Sequence, residues 1–258
     1  MQNFILIGYG NLAHSMMSGF SQDSKFKNQT FYIYGRDLNK AENFAKCFAN
    51  AAIIPSLEAI TPQTNIILCI KPKGLKNLHL NLPFGLLYSV MAGVKIATLE
   101  EHFPKAKAFA RSMPNVGASV QHSSTSLYTQ GEKCFQDLSI ALSEAFGKAV
   151  LFDHEDLIDA SIATNGSAPA FLSLVTEALI EAGLREGIPY KQSQDLVNAT
   201  FEGFAKLLKT YSPQEIKSLV TSPGGTTAEG LAYLELQGFK GILQEAAHKS
   251  VLRAKGKI

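Results

Sequence analysis

The chain has 258 residues, 46% of them hydrophobic, and its 24 basic and 22 acidic side chains leave a formal charge of only +2. Such a chain can bury an ordinary core without disulfide or metal staples, and its interspersed charges form no basic stripe for a nucleic-acid backbone. Its three cysteines, Cys47, Cys69 and Cys134, stand far apart with no CxxC pair, which argues against a disulfide framework or a zinc knuckle and fits a reducing compartment.

Met1-Gln2-Asn3 runs directly into the apolar Phe4-Ile5-Leu6-Ile7, without the basic stretch and cleavage site of a secretory signal. No apolar run approaches the roughly 20 residues of a membrane helix, so a cytoplasmic protein without a membrane partner is expected. Residues 4–8, 30–35, 65–70 and 88–92 read as strands separated by helical patterns. Runs such as Ile66-Ile67-Leu68-Cys69-Ile70 are apolar throughout, as in a parallel sheet covered by helices on both faces. Beyond about Asp153 the period changes, and residues 157–163, 170–186, 190–208, 213–220, 228–237 and 241–254 carry helical spacing. The expected architecture is α/β: a doubly wound nucleotide-binding sheet in residues 1–153, then an all-helical domain in residues 154–258. The stretch 170–187 is apolar on more than one face, which points to burial in a bundle or against a second copy.

The strongest local motif is Gly8-Tyr9-Gly10-Asn11-Leu12-Ala13, a GxGxxA variant where the first strand turns into the first helix. The first glycine permits the turn, the second admits a pyrophosphate to the backbone, and Ala13 allows close helix–strand packing, as in Rossmann-like domains. The amides of Gly8, Gly10, Asn11, Leu12 and Ala13 are therefore candidate phosphate ligands. An acid that would bind a ribose 2′-hydroxyl is expected at the tip of the second strand, yet the sequence there is Gly35-Arg36-Asp37. Arg36 is suited to a 2′-phosphate, so NADPH is favoured, with NADH as the alternative. The competing reading makes Arg36 a solvated loop residue and Asp37 the cap of the next helix. Ile70-Lys71-Pro72 leaves the strand at 65–70 at the carboxyl edge of the sheet, where ligands of such folds collect. Met113-Pro114-Asn115 lies at a further strand end, where Asn115 is either a polar contact for the nicotinamide or the residue that closes an Asx-turn.

Several segments together resemble the pyrroline-5-carboxylate reductase family. Ile70-Lys71-Pro72 resembles VKP, Met91-Ala92-Gly93-Val94 resembles AAGV, Arg111-Ser112-Met113-Pro114-Asn115 resembles RAMPN, and Gly166-Ser167-Ala168-Pro169-Ala170-Phe171 resembles GSGPAY. Val220-Thr221-Ser222-Pro223-Gly224-Gly225-Thr226-Thr227 reproduces VTSPGGTT unchanged. The chain departs from the pattern at Val116-Gly117, where threonine and proline are usual, at Ala168 and Phe171, and at Thr210, where some members carry an acid.

The resemblance implies NADPH-dependent reduction of (S)-1-pyrroline-5-carboxylate to L-proline, with a hydride passing to the carbon of a cyclic C=N bond. It also implies dimers that assemble into decamers, and it adds Ala92 and Gly93 to the cofactor contacts. The substrate carboxylate needs anion donors, and its nitrogen needs a hydrogen-bond partner. Ser222, Gly224, Gly225 and Thr226 precede a helix and form a candidate anion cradle, although Ser222 and Thr226 serve equally well as helix N-caps. Thr227 matches the threonine that contacts the substrate nitrogen, and because a hydroxyl is a weak acid, any proton role needs a water chain or a protonated substrate. Ser167 either borders the substrate pocket or caps the long helix, with Pro169 in its first turn.

The six histidines are scattered and suggest no metal site. A β-hydroxyacid dehydrogenase, the nearest rival architecture, needs a general acid such as a lysine early in its helical domain. There is none between Glu155 and Arg185.

Overall fold

The computed structural model describes residues 3–257. The first part alternates strands and helices: β1 (Asn3–Ile7), α1 (Asn11–Gln22), β2 (Phe31–Tyr34), α2 (Leu38–Ala45), β3 (Ala51–Ile53), β4 (Thr64–Leu68), β5 (Phe84–Ser89) and α3 (Ile96–His102). It continues with β6 (Ala106–Met113), β7 (Ser123–Gln130), α4 (Lys133–Glu144), β8 (Gly147–Leu151) and α5 (Asp156–Ala160). The eight strands form one sheet in the order β3-β2-β1-β4-β5-β6-β7-β8. Strands β1 to β6 run parallel, and β7 turns back against β6 with β8 parallel to it. The doubly wound α/β reading therefore holds, with an antiparallel extension at one edge.

Alternation along β1 shows how the sheet is covered. Phe4 and Leu6 enter one apolar layer with Met16, Phe20, Phe31 and Phe146, while Ile5 and Ile7 enter the opposite layer with Ile66, Leu68, Phe84 and Phe103. In the first layer Phe20 stacks on Phe31 at 4.7 Å between ring centroids, and Phe4 on Phe31 at 5.1 Å. Offset rings at these spacings add attraction beyond the area they bury.

The expected strand at 88–92 begins and ends earlier. Its first half is disguised by Gly85, which is required because a Cβ there would come within 2.8 Å of Asn65 Oδ1. That oxygen accepts the Leu86 amide at 3.0 Å. The ladder stops at Ser89, whose hydroxyl accepts the Met91 amide, and Gly93 then turns at φ +71. Strands β3, β7 and β8 carry no strand signature in the sequence: β3 has only three residues, and β7 buries Ser123, Thr125 and Ser126 in place of an apolar alternation.

The helices that follow are α6 (Ala168–Arg185), α7 (Tyr190–Leu207), α8 (Pro213–Val220), α9 (Thr226–Leu236) and α10 (Phe239–Ala254). The chain forms two compact units, one reaching from the start to Ser167 and taking in the segment from Ser250 on, the other Ala168–Lys249. Within the helical unit, α6 and α7 approach closely at Gly183, where a Cβ would collide with Ser193 Oγ, itself donating to Ile180 O at 2.9 Å. Few of the unit's apolar side chains are buried: Leu174 is 66% exposed and Leu236 80%. One correction concerns α6, since the stretch Asp156–Arg185 is long and apolar enough by composition to cross a membrane.

Candidate active site

Registers across β1, β2, β4 and β5 set Ile7, Tyr34, Leu68 and Ser89 side by side, so the loops after these strands leave one edge of the sheet together. The order reverses between β1 and β4, the switch point beside which nucleotides bind in such folds. Gly8 sits there at φ +119, and a Cβ on it would collide with the Cys69 carbonyl, so only glycine fits. Gly10 is the N-cap of α1, and a Cβ there would meet nothing within 4 Å. Among the described residues α1 has no side-chain cap, and its first turn, Asn11 to His14, carries no carboxylate. Its leading amides are open to an anion. Ala13 is fully buried against the sheet, as close packing requires.

At the tip of β2 the Tyr9 ring lies against Gly35, in the space that a Cβ at Gly35 would need. Arg36 is exposed beside it, and Asp37 caps α2 by accepting the Lys40 amide at 3.1 Å. The cap that the competing reading assigned to Asp37 is thus realised. Past β4, Ile70 packs on the Gly8 turn, and Lys71 precedes a 3-10 turn that Pro72 opens. Burial pushes the Cys69 thiol from its ordinary 9.0 up to about 12, while the nearby Lys71 ammonium pulls it the other way. Cys69 is therefore a structural thiol.

Asn115 realises the Asx-turn. Its Oδ1 accepts the Gly117 amide at 2.9 Å, and its Nδ2 donates to Ser124 Oγ at 3.1 Å and Asn165 O at 3.2 Å. The carboxamide is committed to the loop after β6.

Three residues near this edge were not singled out as site residues from sequence. Arg111 on β6, only 1% exposed, reaches Glu155 Oε1 at 3.1 Å and Asp159 Oδ1 at 2.9 Å. Those carboxylates also accept the Ile96 and Gly93 amides, at 2.7 and 2.9 Å. Arg111 carried two sequence signals, its place at the head of the RAMPN-like segment and a charge beside Ala108-Phe109-Ala110 where the strand demands an apolar residue, whereas Glu155 and Asp159 carried none.

In the helical unit, the turn from Ser222 to Thr227 has Gly224 at φ +70 and Gly225 as the N-cap of α9. The helix starts at Thr226, two residues before its expected start, so neither Ser222 nor Thr226 is its N-cap. Gly225 is held by its amide on Ser222 O at 3.0 Å, and a Cβ there would lie 2.5 Å from Ser222 Oγ. Thr226 and Thr227 occupy the first turn, where backbone amides lack helical partners and no side-chain cap covers them among the described residues. Glu229 is the one acid of that turn. Ser167 directly precedes α6, with Pro169 in its first turn as expected.

A parallel sheet with a glycine turn at its switch point, followed by a helical segment, defines the class of NAD(P)-dependent oxidoreductases built on a Rossmann domain. Residues 3–87 match the family described as NADP oxidoreductase, coenzyme F420-dependent, and residues 155–257 match pyrroline-5-carboxylate reductase dimerisation. A pyrroline-5-carboxylate reductase of Helicobacter pylori is 36% identical over 97% of this chain and 98% of its own length. That of Aquifex aeolicus is 31% identical over 97% and 95%. The crystal structure of 1-pyrroline-5-carboxylate reductase from Streptococcus pyogenes superimposes with a TM-score of 0.88 at 29% identity, covering 98% of each chain. The chain belongs to the pyrroline-5-carboxylate reductase family.

Proposed function

We propose that this protein reduces (S)-1-pyrroline-5-carboxylate to L-proline with NADPH in the cytoplasm, residues 1–153 serving the nucleotide and residues 154–258 the substrate and self-association. The observation that carries this reading is the turn at Gly224-Gly225, inside the family's most specific motif, where the first amides of α9 have no side-chain cap among the described residues. A small carboxylate is the group such a turn suits.

The nucleotide residues fit their ligand on physical grounds. Among the described residues Gly10 faces open space and α1 has no side-chain cap, and Arg36 stands exposed where an acid would repel a 2′-phosphate. Gly8, Gly10, Asn11, Leu12 and Ala13 would hold the pyrophosphate and Arg36 the 2′-phosphate. Ile70, Lys71, Pro72, Ala92, Gly93 and Asn115 would border the nicotinamide half, Asn115 by fixing its loop. When bound, NADPH supplies the hydride.

On the substrate side, Ser222, Gly224, Gly225 and Thr226 would bind the carboxylate, with Ser167 bordering the pocket. Thr227 would hold the ring nitrogen through its hydroxyl, keeping the C=N bond in one orientation, and would pass a proton only through water. The protein would act as a homodimer, with five dimers forming a decamer.

The test is a steady-state comparison of NADPH and NADH with pyrroline-5-carboxylate, for wild type and Arg36→Ala. Arg36→Ala is expected to weaken NADPH by about ten- to a hundred-fold, the worth of a charge-assisted phosphate contact, and to leave NADH unchanged. Equal losses with both cofactors would refute the role of Arg36. Failure of wild type to restore growth to a proline-requiring strain would refute the activity.

A further inference from the structure

The loop between β5 and α3 is gripped by carboxylates that come from far along the chain. Asp159 Oδ1 accepts the Gly93 amide at 2.9 Å, and Glu155 Oε1 accepts the Ile96 amide at 2.7 Å, the first amide of α3. Between them, Lys95 Nζ pairs with Asp156 Oδ1 at 2.9 Å on the surface. Arg111 joins the first two acids from below, Nη1 to Glu155 and Nη2 to Asp159. From another direction the last turn of α10 closes on the same place, since a Cβ on Gly93 would lie 2.6 Å from Ala254 O.

Arg111 alone does not fill the acceptor capacity of the two carboxylates it meets, and the Gly93 and Ile96 amides are further donors to those oxygens. The ion pairs and the loop backbone therefore form a single unit: shifting the loop strips acceptors from their donors, and removing an acid strands Arg111. Apolar packing would stabilise this position at least as well. What the ionic arrangement adds is one fixed geometry for the Ala92-Gly93 turn.

We infer that Arg111, Glu155 and Asp159 are positioning residues that set the Ala92-Gly93 turn against the nicotinamide end of the cofactor, an inference that rests on the NADPH reading above. None of the three touches the reacting atoms. Their effect is confined to one end of the nucleotide, because the pyrophosphate turn at Gly8 and the 2′-phosphate position at Arg36 lie on other loops.

The experiment measures kcat, the Kd for NADPH, the Kd for 2′-phospho-ADP-ribose, which lacks nicotinamide, and the melting temperature. The variants are Asp159→Asn, Glu155→Gln and, as a stability control buried at the opposite end of α3 from Ile96, Phe103→Leu. Asp159→Asn is expected to lower kcat about ten-fold and weaken NADPH several-fold while the nicotinamide-free fragment binds within about two-fold of wild type. Glu155→Gln should show the same split, more weakly, and Phe103→Leu should lower only the melting temperature. If the acid variants melt earlier but keep kcat and both Kd values within about two-fold, the cluster is structural only and the inference fails. Should they not fold, Gly93→Ala moves the same turn: the split in that variant supports the inference, and its absence overturns it. A wild type that binds neither ligand takes down the NADPH reading and this inference together, whereas intact wild-type binding with unaltered variants takes down the inference alone.

Discussion

In the sheet unit Phe4, Leu6, Met16, Phe20 and Phe31 are shut away from solvent, whereas in the helical unit Leu174, Tyr233, Leu236 and Ile242 all stand largely exposed. Within α6 only Ile180 is buried, and α9 buries none of its residues. The first unit has closed its own core. The second has the composition of a core element without a core, which is how an obligate interface looks when one copy is viewed alone. The match of residues 155–257 to a dimerisation segment agrees with that reading. Independence and dependence thus sit side by side in one chain.

The most forceful way to break the contrast is to charge the exposed face. The double variant Leu174→Glu, Ile242→Glu should yield a 27.9 kDa monomer by light scattering. It should also lower stability by upwards of about 3 kcal/mol, since each fully covered Leu or Ile is worth about 1.5–3 kcal/mol. An unchanged assembly would mean that this face is not where copies meet. The mirror experiment acts on the self-sufficient half. Gly8→Ala forces a side chain into φ +119 and against the Cys69 carbonyl, which should cost about 1–3 kcal/mol and abolish nucleotide binding without altering the oligomer.

Alkaline pH sharpens the comparison further, because both strongly shifted buried groups lie in the sheet unit. Burial raises the Cys69 thiol to about 12, opposed by Lys71, and the Tyr88 phenol to about 12, opposed by its hydrogen bond with Ser143. The unfolded chain releases these protons from about pH 9 and the folded chain only near 12. Stability is therefore complete below about pH 9 and declines as pH rises through that window. Melting curves from pH 8 to 11 should show this decline, and Cys69→Ala should flatten it. The smallest effect belongs to the helical half. Ser212 and Glu215 form a capping box on α8, and Ser212→Ala should cost about 1 kcal/mol.

The helices were legible because their apolar spacing, caps and breakers agree: Ser212-Pro213 opens α8 at the residue expected, and α6, α7 and α10 differ from their expected spans by a residue or two. The strands were less so. β7 shows no apolar alternation because its buried Ser123, Thr125 and Ser126 are satisfied by neighbours rather than hidden by hydrophobicity. At the candidate site, glycines announced themselves through the turns they permit. The acids Glu155 and Asp159 did not, because on a short amphipathic segment a carboxylate usually signals solvent, and only the fold brings Arg111 beneath them. The start of α9 was misplaced for a related reason. Ser222 and Thr226 look like caps, yet Gly225 takes that position by backbone geometry alone.

The return of the chain to its first unit carries a consequence for how the protein is made. Val251 packs with Met113, Ile158 and Ile162, and Ala254 closes over Gly93, so the edge that would receive the nicotinamide is finished by residues synthesised well after the Gly93 turn itself. At translation rates of about 5–20 residues per second, the Gly93 turn emerges roughly 10–30 s before its final neighbour exists. A nascent chain would hold a folded sheet long before it could hold its coenzyme in register, and competence would arrive with the closing helix.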